Sequence, residues 1–60
     1  NINSATQEQL MSLPGIGSSR AADIISYRNS NGQFERIEDI MKVSGIKESA
    51  FNKIKDYISV

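Results

Sequence analysis

Sixty residues with seven basic and seven acidic side chains carry no net formal charge, and cysteine and histidine are both absent. A chain this short holds one domain at most, because small domains bury a smaller share of their surface and need an efficient core. The missing residue types exclude a disulfide framework, a thiolate or imidazole metal site, and any Ser-His-Asp or Cys-His nucleophile arrangement, while no apolar run approaches the ~20 residues that span a bilayer.

Taken in chain order, Thr6 with Gln9 reads as a capping box that opens a short helix carrying Leu10 and Leu13 to Pro14. Gly15-Ile16-Gly17 makes a connection, and a second helix begins near Ser18, with Ala21, Ile24, Ile25 and Arg28 at i, i+3, i+4, i+7 spacing along its inner stripe. Asn29-Ser30-Asn31-Gly32 supplies turn-formers that end this helix, and Gln33-Phe34-Glu35 links onward, with Phe34 expected to plug the junction. A short helix around Ile37 to Lys42, a Ser44-Gly45-Ile46-Lys47 turn and a longer helix to about Ile58 follow, the last with Phe51, Ile54 and Ile58 on its inner face.

The second half is a copy of the first. Sliding the chain by thirty residues pairs Glu8 with Glu38, Met11 with Met41, Gly15 with Gly45, Ile16 with Ile46, Ser19 with Ser49, Ile24 with Ile54 and Tyr27 with Tyr57. No segment alternates apolar and polar residues long enough to argue for a strand, so the expected fold is all-α with four main helices. One unit this small cannot bury both apolar faces, whereas two units, about 5–30 and about 35–60, packed around a pseudo-two-fold axis share one core. Residues 1–60 are therefore expected to form a single domain. A start at Asn1 instead of methionine reads as an excerpt from a longer protein.

The turns have the makings of phosphate sites. Gly15 and Gly17 flank Ile16 and would let the backbone take left-handed conformations and approach a ligand with no Cβ in the way. With Ile16 plugged inward, the surrounding N–H groups point outward at the start of the next helix, where free amides and the helix dipole favour an anion. Arg20 stands one turn into that helix, placed to add a charged hydrogen bond, and Ser18 and Ser19 offer hydroxyls. The zero net charge counts against a nucleic-acid binder, but backbone amides and a few cations hold phosphate without a basic excess.

Leu13-Pro14-Gly15-Ile16-Gly17, followed by Ala21 and Ile24, resembles the helix-hairpin-helix motif, and two copies resemble its tandem form, a SAM-like small bundle. Ile2-Asn3 with Ala5, Glu8-Gln9-Leu10, Ile25-x-Tyr27-Arg28, Gly32-x-Phe34 and Ile37-Glu38-Asp39-Ile40 are similar to the C-terminal domain of the ComEA family of competence proteins, so that the resemblance covers essentially the whole chain. It implies a DNA receptor for natural transformation, outside the cytoplasmic membrane and anchored through a segment absent here, that binds double-stranded DNA without sequence preference and works beside other uptake-machinery proteins. It implies no enzyme activity, no cofactor and no small-molecule substrate.

Carried over by position, the DNA-contacting residues would be Gly15, Ile16, Gly17, Ser18, Ser19 and Arg20 in the first hairpin and Gly45, Ile46, Lys47 and Ser49 in the second, with Lys53 on the following helix. Some relatives hold a monovalent cation on hairpin carbonyls, which here would belong to Met11, Leu13 and Ile16. The second hairpin departs from the pattern, because Ser44 replaces Pro14, Lys47 replaces the second glycine and Glu48 stands at the helix start. Lys47 would compensate by meeting phosphate directly while Glu48 would repel it, so the first hairpin ranks higher.

Plainer readings stand beside these. Arg28, Arg36, Lys42, Lys53 and Lys55 read as solvated charges, and so do the carboxylates of Glu8, Asp23, Glu35, Glu38, Asp39, Glu48 and Asp56, which are scattered with no second motif to mark a catalytic pair or metal cluster. Tyr27 and Tyr57 are expected to cover the shared core, and Met11 and Met41 to fill it. The competing functions are a protein-interaction or structural module of the same fold, which zero net charge and the changes at Ser44 and Lys47 favour, and an accessory DNA-binding domain of a repair nuclease or helicase.

Overall fold

The capping box forms as the sequence requires. In the computed structural model, which describes all of residues 1–60, the Thr6 hydroxyl accepts the Gln9 N–H at 3.2 Å and the Gln9 side chain accepts the Thr6 N–H at 2.9 Å. These bonds open helix α1, Gln7–Met11, which stops at a Ser12 cap instead of continuing to Pro14. Ser12 N–H and Leu13 N–H turn back to Gln9 O and Leu10 O, so Leu13 lies beyond the helix but still packs against the core.

Helix α2, Ser18–Asn31, is longer than the polar run Asn29-Ser30-Asn31 suggests. Asn31 donates its side-chain amide to Tyr27 O at 3.1 Å, and the helix ends only at Gly32, whose N–H reaches Arg28 O at 3.0 Å. Polar residues on an exposed face do not stop a helix whose other face is buried; their turn-forming tendency is expressed only where packing is silent.

In the second half the short helix, Ile37–Lys42, is 3-10 and is called η1 here. Asp39 stands three residues after Arg36, where Gln9 stands after Thr6, and its carboxylate accepts the N–H groups of Glu35 and Arg36 at 3.1 and 3.3 Å. It is thus a cap, with its side chain 15% exposed, and not the solvated charge expected from sequence. Helix α3, Glu48–Ile54, is half the length of α2 and tightens into one 3-10 turn, η2, Lys55–Tyr57, so the expected helix to Ile58 is cut short.

The core consists of Ile2, Leu10, Ile16, Ala21, Ile24, Phe34, Ile40, Val43, Ile46, Phe51 and Ile54. Four of its pairs are repeat equivalents, Leu10/Ile40, Ile16/Ile46, Ala21/Phe51 and Ile24/Ile54, which is the physical content of the duplication. Phe34 from the inter-repeat segment fills the junction as expected and stacks on Tyr27 with ring centroids 5.5 Å apart. Ile58 is half-buried beside this cluster.

Three expectations fail at the edges. Tyr57 is 69% exposed, because the Phe34 that partners Tyr27 comes from the link between the repeats and has no counterpart beside Tyr57 in this chain. Met11 is 43% exposed at the end of α1, whereas Met41 packs against the core. Arg28 is not a solvated charge: it is half-buried and donates to Ile2 O at 3.0 Å, strapping the N-terminal segment to α2. The same segment is held by a two-way bond between the Asn3 side chain and the Phe34 backbone, and by Ile2 N–H to Ser59 O at 2.9 Å. No helix is long and apolar enough to cross a membrane.

Candidate nucleic-acid interface

The two turns share one backbone. In each, an N–H closes a four-residue turn, Ile16 to Leu13 O and Ile46 to Val43 O, both at 3.1 Å. The third residue of each is a glycine at positive φ, +77° at Gly15 and +86° at Gly45, as a type II turn demands. Proline suits the second position of such a turn but is not required there, which is why Ser44 stands where Pro14 does with the hydrogen bond preserved.

The next position corrects the sequence reading. Gly17 is extended, at φ −91° and ψ −172°, and is not left-handed; Lys47 takes the same conformation at φ −106° and ψ −174°. Folding therefore does not require glycine at position 17, and a Cβ built there would meet nothing within 4 Å. The space beside Gly17 is open to solvent and free for a ligand.

Ile16 and Ile46 are buried, at 5% and 0% exposure, while Gly15, Gly17, Ser18, Ser19 and Arg20, and likewise Gly45, Lys47, Glu48 and Ser49, are exposed. Anchoring the apolar residue turns its neighbours' amides outward. The first helical bond of α2 runs from Ala21 N–H to Gly17 O, so the N–H groups of Gly17, Ser18, Ser19 and Arg20 have no acceptor within the chain, and no side chain caps this end. The second hairpin is built alike, with Phe51 N–H to Lys47 O as the first bond of α3. Unpaired amides at the positive end of a helix dipole attract anions, more strongly above the fourteen residues of α2 than above the seven of α3, where Glu48 also offsets the dipole. Gln7 fixes the first site from below, donating its side-chain amide to Ser18 O at 3.3 Å.

Arg20 joins the two hairpins. Its guanidinium lies against the Cα of Gly45, so close that a Cβ there would overlap it, and it pairs with Asp23 at 3.3 Å with both side chains 44% exposed. Gly45 is thus glycine both for its positive φ and for the arginine above it. The Arg20–Asp23 spacing of three residues was readable from the sequence as a helical ion pair, but the contact with Gly45, more distant along the chain, was not. Lys53 is exposed on α3 and forms no ion pair.

The carbonyls of Met11 and Ile16 accept no hydrogen bond within the chain, and that of Leu13 accepts the Ile16 N–H. No group of three or more carboxylates gathers to hold a metal by side chains.

Residues 1–59 match the family described as helix-hairpin-helix motif. The chain is 57% identical over its full length to ComE operon protein 1 of Bacillus subtilis (strain 168), of which it covers 29%. It is 43% identical over its full length to endonuclease/exonuclease/phosphatase family domain-containing protein 1 of Danio rerio, covering 11% of that protein. It is 39% identical, over 97% of its length, to an uncharacterized protein of Haemophilus influenzae, covering 53% of it. The chain thus spans between about a tenth and about half of these relatives. With the match running through both hairpins and the core that supports them, the chain belongs to the helix-hairpin-helix family.

Proposed function

We propose that this domain is a non-enzymatic binder of double-stranded DNA, holding phosphates of the two strands across the minor groove with the backbone amides of its two hairpins. The observation that carries the reading is the pair of turns with one backbone geometry, each burying an isoleucine and leaving four consecutive N–H groups without an acceptor. Gly15, Gly17, Ser18, Ser19 and Arg20 form the stronger site; Gly45, Lys47 and Ser49 form the weaker one, with Lys53 as an outlying cation. Ile16 and Ile46 act from beneath as anchors. Short Gly/Ser turns carry no side chains suited to reading base edges in the major groove, so binding is independent of sequence.

The relative named for the ComE operon supports a role in competence, with the domain as a DNA receptor in uptake for transformation, displayed outside the cytoplasmic membrane by other parts of its protein and meeting other uptake proteins there. A second reading has its own support: similarity over the whole chain to endonuclease/exonuclease/phosphatase family domain-containing proteins fits an accessory DNA-binding domain beside a nuclease-type one. Both readings use the hairpins in the same way.

The test is binding to several unrelated labelled duplexes and their single strands at a series of salt concentrations. With two to four phosphates neutralised, log K should fall against log salt with a slope of about −2 to −4 and be the same for every duplex sequence. Absence of duplex binding at about 50 mM salt would transfer the assignment to a protein-interaction module.

A further inference from the structure

We infer that Asp23 is a positioning residue for DNA binding, holding the Arg20 guanidinium across Gly45 so that one cation serves both hairpins. The inference rests on the DNA-binding reading above and adds to it a carboxylate that promotes affinity for a polyanion.

The two copies differ at this point. Arg20 corresponds to Ala50, and Asp23 corresponds to Lys53, so only the first copy carries the ion pair. The second hairpin has Glu48 at its helix start and no arginine of its own, yet Arg20 lies over the glycine of its turn. An arginine side chain left free in solvent samples many rotamers, and fixing it costs entropy at the moment a phosphate binds. Asp23, one turn along the same helix, fixes it in advance through the 3.3 Å contact with Nη1. Nη1 is turned to Asp23, and the face of the guanidinium covers Gly45. Both partners remain 44% exposed, so the guanidinium keeps donors open to a phosphate.

Removing a carboxylate near a polyanion ordinarily tightens binding by relieving repulsion. If Asp23 acts by placing Arg20, the loss of preorganisation opposes that gain. An exposed ion pair is worth about 0.2–1 kcal/mol, which corresponds to roughly 1.4- to 5-fold in affinity.

The experiment is a cycle of Asp23→Asn, Arg20→Gln and the double variant, with Asp23→Glu as the conservative rescue, each measured against one labelled duplex over a salt series with helicity checked by circular dichroism. Asp23→Asn is expected to weaken binding roughly 1.4- to 5-fold in the otherwise unchanged domain and to leave it equal or slightly tighter once Arg20 is glutamine. Asp23→Glu, still able to reach Arg20 along the helix, should bind within about twofold of the unchanged domain. Equal or tighter binding by Asp23→Asn alone would overturn the inference, as would an equal weakening in both backgrounds, which a merely structural role would produce. No duplex binding by the unchanged domain would remove the DNA-binding reading and this inference together, whereas binding without the sign reversal removes only the inference.

Discussion

Gly17→Ala separates the demands of folding from those of binding. At φ −91° and ψ −172° alanine is unstrained, and the new Cβ meets no atom within 4 Å. Lys47 already occupies the same backbone conformation in the other hairpin with a full side chain. The folded state therefore loses nothing, while the unfolded chain loses freedom, so stability should be unchanged or rise by about 0.4–1 kcal/mol. The Cβ nevertheless projects into the space a phosphate needs if it is to reach the amides of Ser18 and Ser19. One charge-assisted hydrogen bond is worth about 1.5–3 kcal/mol, so losing it weakens duplex binding roughly 10- to 160-fold. Urea denaturation followed by circular dichroism gives the first quantity, and anisotropy of a labelled duplex gives the second. Destabilisation beyond about 1 kcal/mol would show that the glycine serves the fold; unchanged affinity would show that no ligand closely approaches the first hairpin.

Other expectations follow from the core and the caps. Ile24→Ala, at 0% exposure in the middle of α2, should cost about 2–5 kcal/mol, a large share of the roughly 3–9 kcal/mol a chain of this length commands, and leave a thermal scan without a sharp transition. Thr6→Ala breaks the capping box and should cost about 0.5–2 kcal/mol, lowering the calorimetric Tm by several degrees while duplex affinity at low temperature is unchanged. Asp39 is partly desolvated, which raises its pKa, but the Arg36 and Glu35 N–H groups and the Lys42 ammonium outweigh that and hold it below its ordinary 3.8. Its contribution is complete above that ordinary value and disappears as pH falls through the lowered folded one, so Asp39→Asn should be less stable near neutrality, begin to approach the unchanged domain as pH falls past about 3.8, and meet it only below the lowered folded value in an acid titration followed by circular dichroism.

Much of this architecture was legible because it is written twice. The internal repeat fixed which apolar residues must share a core, and a buried residue at one position, such as Ile24, foretold its partner, Ile54. The capping box and the start of α2 are local features determined by nearest neighbours, and these too emerged as read. What escaped were outcomes decided by packing between distant segments. The exposed polar end of α2 stays helical because its opposite face is buried; Tyr57 lacks the aromatic that covers Tyr27; and Arg28 finds a carbonyl twenty-six residues away. At the hairpins the sequence correctly placed the isoleucines inward but attributed to Gly17 a conformational need it does not have. The Arg20–Gly45 contact has no sequence signature, since it depends on how the two repeats are set against each other.

The hydrogen bond between Ile2 N–H and Ser59 O brings the beginning and end of the chain side by side. A domain with adjacent ends can be spliced into a loop of another protein without stretching its host, or hang from a tether as a bead whose orientation neither neighbour dictates. It can also be re-threaded. A short linker joining Val60 to Asn1, with new ends opened at the exposed Gly32–Gln33 step, would exchange the order of the two hairpins and leave every core contact available.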